Sequence, residues 1–175
     1  MTKYKDEYIN KLKQDFRSKG YKEVEAKVGD YSFSYFILPK TLKPELQNFA
    51  LVLPGETKDN YLIGVSEDIR EEFQKYFAAH EYIEFVKFYD VQGKCVKALE
   101  EELKQVPKEI KKDYLKARMD FFKNLIDYVS KYSQDYGKET ANEFKQSLSK
   151  LEELVEAEKW QKKNHLKNMQ EKFLD

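Results

Sequence analysis

Between Tyr76 and Tyr89 the chain reads Y-F-A-A-H-E-Y-I-E-F-V-K-F-Y, and ten of these fourteen residues are Ala, Ile, Val, Phe or Tyr. His80 and Glu84 are four residues apart, so on a helix they point to the same face. The other residues on that face are aromatic: Phe73, Tyr76, Phe77 and Phe88. We therefore expect both polar side chains to face the apolar side of a helix rather than solvent.

A carboxylate on an apolar face needs a partner, because burying it unpaired costs several kcal/mol. For Glu84 that partner is a cation, a metal, or a hydrogen-bonding Tyr or Lys. A divalent metal suits the pair, because imidazole nitrogen and carboxylate oxygen both bind zinc at about 2.0–2.2 Å. Glu81 follows His80 directly and is displaced from it by about 100° around the helix axis.

Patterns along the rest of the chain predict an α+β fold, with a small three- to four-stranded sheet packed by helices and an α-helical C-terminal half. Alternating apolar residues, short apolar runs and turn residues predict a hairpin at 22–38 and strands at 49–53 and 60–65. Apolar residues at helical spacing predict helices at about 3–19, 67–88, 94–105, 108–134 and 138–172. Ser66 is the expected N-cap of the helix at 67–88.

Gly137 breaks the helical pattern, so we divide the chain into an α+β domain at 1–136 and a helical extension at 137–175. Several large apolar residues suggest that the end of the extension is a tail that docks or seeks a partner: Trp160, Leu166, Met169 and Phe173. The C-terminal helices are therefore expected to bind a protein partner or to form a homodimer.

Composition excludes several classes of protein. The formal net charge is zero, from 32 basic and 32 acidic residues, so the chain lacks the basic field of a nucleic-acid-binding protein. Its apolar runs are shorter than the roughly 18 residues that span a bilayer, and its first residues do not resemble a signal peptide. Cys95 is the single cysteine, which excludes an internal disulfide. We expect a soluble, cytoplasmic protein.

His80, Glu81 and Glu84 spell H-E-x-x-E, one residue away from the H-E-x-x-H motif of metallopeptidases. The run from Leu62 to Phe85 reads L-I-G-V-S-E-D-I-R-E-E-F-Q-K-Y-F-A-A-H-E-Y-I-E-F. It resembles the core of a zincin metallopeptidase, in which a strand and a short connection lead into the active-site helix. The resemblance is to small intracellular peptidases of the ImmA/IrrE type and covers about residues 49–103.

This resemblance implies that residues 1–136 form a zincin-like domain. It also implies that His80 is a ligand of zinc or another divalent transition metal and that Glu81 is the catalytic base. Glu84 stands where the second histidine of the motif would be. The implied substrate is a peptide or a protein.

The helix at 94–105 is expected to supply a third metal ligand, because glutamate-type zincins use a Glu on the helix after the motif. Cys95, Ala98 and Glu102 are spaced three and four residues apart and share one face. Cys95 and Glu102 are therefore the first candidates, followed by Glu101.

Two other interpretations remain open. Cys95 could act as a nucleophile with His80 as its base, although a small thiol on a helix face is more often a packed core residue. The chain could also be a non-enzymatic helical interaction protein, either a pseudoenzyme on the zincin-like fold or an unrelated protein.

Overall fold

In a computed structural model the described residues form a four-stranded mixed sheet and five α-helices, which confirms the predicted α+β class. The structure describes residues 3–132 and 138–172, without the side chains of 158 and 160–172. The predicted break at Gly137 lies outside the described residues. The same holds for the side chains of the predicted tail: Trp160, Leu166, Met169 and Phe173.

The first helix and the strands occupy the N-terminal third of the chain. They are α1 (Asp6–Ser18), β1 (Glu23–Val28), β2 (Tyr31–Leu38), β3 (Ala50–Pro54) and β4 (Tyr61–Ser66). The strand order is β1-β2-β4-β3. The pairs β1–β2 and β3–β4 are antiparallel, whereas β2 and β4 run parallel. The predicted hairpin is therefore confirmed, and its turn contains Gly29 at φ +59°.

The sheet has an apolar layer on each face, because successive side chains of a strand point to opposite sides. On one face Phe33, Ile63 and Val65 belong to the main core. On the other face Phe36 and Leu62 pack with Ile9 of α1. The main core continues into the C-terminal helices, so the sheet supports them from one side.

The helix that carries the motif begins later than the sequence predicts. We expected it to begin after Ser66, but α2 spans Glu71–Tyr82 and Arg70 is its N-cap. The backbone N–H of Ser66 donates to Phe49 O, and that of Glu67 donates to Leu38 O, both at 2.8 Å. These residues still bond to neighbouring strands, so they cannot adopt helical geometry.

Beyond Tyr82 the helix continues as a π-helical segment, Ile83–Lys87. The N–H of Phe88 donates to the carbonyl of Ile83 at 2.9 Å, which is the i to i+5 spacing of a π turn. Such wide turns are rare in helices, and those that do occur are often found at functional sites. Glu84 lies in this segment.

Three helices complete the fold: α3 (Lys94–Gln105), α4 (Lys108–Lys131) and α5 (Lys138–Lys172). The bounds of α3 and α5 agree with the predicted ones, and α4 ends three residues earlier. A short apolar stripe packs α5 against the core: Phe144, Leu148, Leu151, Leu154 and Val155. No helix among the described residues is long and apolar enough to cross a membrane.

Candidate metal centre

Three helical elements bring polar side chains together in the core beneath the sheet. His80 lies on α2, and Glu84 lies one turn later in the π segment. Cys95 and Glu102 come from α3, and Arg118 comes from α4. All five side chains are buried. The prediction that His80 and Glu84 face the interior is thus confirmed.

The imidazole of His80 is the centre of this cluster. Its Nδ1 lies 2.8 Å from Glu102 Oε2, and its Nε2 lies 3.1 Å from Glu84 Oε2. The Sγ of Cys95 lies 3.6 Å from the same Nε2. The partner that Glu84 requires is therefore the histidine one turn earlier. One edge of the ring faces Glu102, and the other faces Glu84 and Cys95.

His80, Glu84 and Cys95 form a group that could hold a metal ion, since one ligand atom from each lies within 4.8 Å of the others. Two ligands about 2.0–2.3 Å from a tetrahedral zinc lie roughly 3.3–3.6 Å apart. The observed 3.1 and 3.6 Å from Nε2 to the carboxylate and to the sulfur are close to these values. Nitrogen, oxygen and sulfur donors together suit a borderline-soft transition metal.

Glu102 joins the cluster at the opposite edge of the ring from Glu84 and Cys95. Its carboxylate lies at His80 Nδ1, accepts a hydrogen bond from the hydroxyl of Tyr114, and accepts another from Arg118 Nη2 at 3.2 Å. A carboxylate on the far nitrogen of a ligating histidine fixes the orientation of the ring. The structure thus places this predicted ligand where it positions His80.

Arg118 is the charged residue of the site that was not predicted from the sequence. It is 0% exposed, and its guanidinium carbon lies 4.4, 4.9 and 5.0 Å from the ring centroids of Phe77, Phe121 and Phe122. Its Nε is 3.2 Å from Glu102 Oε1 but is not aligned for a hydrogen bond, and its Nη1 has no hydrogen-bond partner among the described residues.

One signal in the sequence could have identified Arg118. It lies four residues after Tyr114 and four before Phe122, so it occupies the apolar face of α4. A charged residue in that position requires an opposite charge nearby.

Burial and neighbouring charges shift the protonation of His80 and Glu81. Burial and the Arg118 charge lower the pKa of His80, but its hydrogen bonds to Cys95, Glu102 and Glu84 outweigh them and hold that pKa well above 6.5. Burial, reinforced by the charges of Glu84 and Glu102, raises the pKa of Glu81 to about 7. Glu81 therefore titrates in the range where a carboxyl can act as a general base.

Glu101, the remaining ligand candidate, lies outside the cluster. Glu101 is at the surface, where it accepts a hydrogen bond from Lys104 at 2.8 Å. The Cys95–His80 pair that a thiol nucleophile needs is present at 3.6 Å. However, burial and the Glu84 charge raise the pKa of Cys95, which disfavours the reactive thiolate.

Comparisons of the chain with protein-family models, with curated proteins and with solved structures find no match. The resemblance to the zincins therefore stays a prediction from the residues of the motif.

Proposed function

We propose that the chain is a metal-dependent hydrolase whose ligands are His80, Glu84 and Cys95, with zinc as the first candidate metal. One observation carries the proposal. Glu102 binds the His80 ring at Nδ1, and Nε2 is directed at the carboxylate of Glu84 and the thiol of Cys95. These are the donors, the spacing and the supporting carboxylate that a transition-metal site uses.

When bound, a divalent metal supplies Lewis-acid polarisation of an oxygen atom at the site. The chain's own residues do the rest. Glu81 is the proposed acceptor of a proton from water, because it stands directly after His80, where the zincin motif has its catalytic glutamate. Burial raises its pKa to about 7, which suits this role. Glu102, Tyr114 and Arg118 hold the imidazole in place.

The proposed substrate is a peptide bond. This part of the proposal is supported by the resemblance of the Leu62–Phe85 segment to the zincin core, including the place of Glu81 directly after His80. Glu84 in place of the second motif histidine, and Cys95 in place of the glutamate ligand from the following helix, would make this site a variant of the zincin pattern.

Metal content of the full chain purified without added metal tests the ligand set. We expect one transition metal per chain, lost in His80→Ala and in Cys95→Ser, and retained in the surface control Glu101→Gln. Cobalt substitution adds a direct readout, because a thiolate ligand gives a charge-transfer absorption band that Cys95→Ser removes. Failure to bind any transition metal under varied, metal-supplemented conditions would refute the proposal.

Glu81→Gln separates the chemistry from the binding. The variant is expected to keep its metal, because Glu81 is not a ligand, and to lose peptide hydrolysis by about 10²-fold or more. Equal hydrolysis by the wild type and by Glu81→Gln would remove Glu81 from the mechanism.

A non-catalytic role is the second candidate, and burial favours it. His80 is 2% exposed, Glu84 is 5% exposed and Cys95 is 1% exposed, so a substrate cannot touch them in this conformation. If the protein binds metal stoichiometrically and hydrolyses no member of a diverse peptide library, the site is structural and the chain is a pseudoenzyme or an interaction module.

A further inference from the structure

Helix α5 closes the cluster on the side away from the sheet. Ser147 and Leu151 are both 0% exposed. The hydroxyl of Ser147 donates to Cys95 Sγ at 3.3 Å. The ring of Phe144 lies 6.3 Å from that of Phe122, which in turn lies 6.2 Å from the His80 ring. The outer wall of the site is thus made by α5.

Over residues 138–157, where its side chains are described, α5 is less deeply buried than α2, although Phe144, Leu148, Leu154 and Val155 pack half-buried against the core. Of the twenty α5 side chains from 138 to 157, only Ser147 and Leu151 are buried. In α2, eight of twelve side chains are buried. Elements with few buried apolar contacts open at a lower free energy than the global unfolding of the protein.

The contact that α5 makes with Cys95 itself is polar. At the point where α5 meets Cys95, it presents the hydroxyl of Ser147. A further link between α5 and α3 is the exposed ion pair of Lys150 and Glu100 at 3.4 Å. A hydroxyl–thiol contact and an exposed ion pair are both replaced by water at little cost when a helix moves away.

We propose that α5 is a displaceable cover, which leaves α3 and α4 without global unfolding and so opens the route to His80, Glu84 and Cys95. The functional role of this displacement rests on the proposed function, because the substrate of a hydrolase must reach the metal site. The displacement itself needs neither metal nor catalysis, so it can be tested on the metal-free chain.

Cys95 is the single cysteine and lies directly beneath the cover, so its alkylation by iodoacetamide reports opening of the full chain. The reaction is followed in chelator at increasing urea below the unfolding transition. If α5 opens alone, labelling is at least about tenfold faster than the global unfolding equilibrium allows. It also depends weakly on urea, because little surface is exposed.

Two matched leucine truncations locate the opening. Leu151→Ala removes the buried apolar anchor of α5 and is expected to raise the labelling rate in the absence of urea by about tenfold or more. Leu62→Ala truncates a leucine buried on the opposite face of the sheet. It destabilises the whole fold but is expected to leave the labelling rate in the absence of urea unchanged, because labelling proceeds through the local opening of α5.

The proposal is overturned if labelling of the wild type follows the global unfolding equilibrium at every urea concentration. It is also overturned if Leu62→Ala and Leu151→Ala accelerate labelling equally. The wild-type urea series tests the proposal even if Leu151→Ala fails to fold. Failure of metal binding would refute the proposed function and leave this labelling result intact, so the two failures are distinguishable.

Discussion

His80 has both ring nitrogens engaged, and the two edges of the ring meet different partners. Glu102 lies at Nδ1, while Glu84 and Cys95 lie at Nε2. The raised pKa of His80 favours its protonated form, so two cationic side chains, His80 and Arg118, face two carboxylates in a buried cluster. A metal at Nε2 would replace the proton of that nitrogen. This balance explains how four ionisable residues can share one core, since a buried charge is tolerated when it is paired and hydrogen-bonded.

Replacing Arg118 with Met breaks this balance, because the Glu102 carboxylate loses one of its two cationic partners and keeps only His80. We expect a loss of about 3–5 kcal/mol in the free energy of unfolding, the usual cost of removing one partner of a buried ion pair. Urea denaturation measures it. The double variant with Glu102→Gln should lose less than the sum of the two single changes. A loss below about 1 kcal/mol in Arg118→Met would show that the pair is not needed for stability.

At the scale of elements, tight side-chain packing against a glycine and hydrogen bonds between a helix and a loop position the strands and helices. In β4, a Cβ added at Gly64 would lie 2.3 Å from Leu38 Cδ1 and 3.0 Å from Leu38 Cγ. Leu38 is 0% exposed and belongs to the second apolar cluster with Phe36 and Leu62. The glycine within the run L-I-G-V is therefore required by the packing of Leu38 across the β2–β4 pair.

Gly64→Ala is expected to destabilise the protein by about 1–3 kcal/mol, because an extra methyl group overpacks a filled core. Combining it with Leu38→Ala should make room for the methyl group, so the two losses should be less than additive in urea denaturation. Additive losses would mean that the contact with Leu38 is not the source of the strain.

Asp6 at the start of α1 anchors this helix to the loop between β3 and β4. Its Oδ1 accepts a hydrogen bond from the N–H of Thr57 at 3.3 Å. Desolvation raises the pKa of Asp6, but the hydrogen bonds from Thr57 and Asn60 outweigh it, so that pKa lies below 3.8.

A depressed carboxyl pKa stabilises the folded state above the unfolded pKa and loses that effect as the pH falls through the folded pKa. Asp6→Ala should therefore lower the melting temperature at pH 7, and the difference should shrink as the pH drops below 3.8. Thermal unfolding at a series of pH values measures this. A difference that is the same at pH 7 and pH 3 would assign the effect to packing rather than to the carboxylate.

For the whole molecule, metal binding and stability are linked if the proposed ligands hold the metal only in the folded state. Zinc at about 100 times its dissociation constant should then raise the free energy of unfolding by about 2.7 kcal/mol. Thermal unfolding with and without metal measures the shift, which should vanish in His80→Ala and persist in Glu101→Gln. A shift of equal size in His80→Ala would indicate binding elsewhere on the chain.

The local patterns of the sequence were enough for the fold class and for most element bounds. Helix periodicity and strand alternation are short-range properties, so the hairpin, α3 and the start of α5 could be predicted from neighbouring residues alone. The beginning of α2 could not be predicted in this way, because backbone hydrogen bonds hold Ser66 and Glu67 to Phe49 and Leu38, which are distant along the chain.

The same distinction applies to the site. The i, i+4 spacing placed His80 and Glu84 on one inward face, because helix geometry alone sets which residues share a side. The roles of Cys95 and Glu102 on either edge of the imidazole, and the presence of Arg118 beneath three phenylalanine rings, depend on how α2, α3 and α4 pack. Packing joins residues far apart in the chain, and no local spacing encodes which edge of a ring each of them reaches.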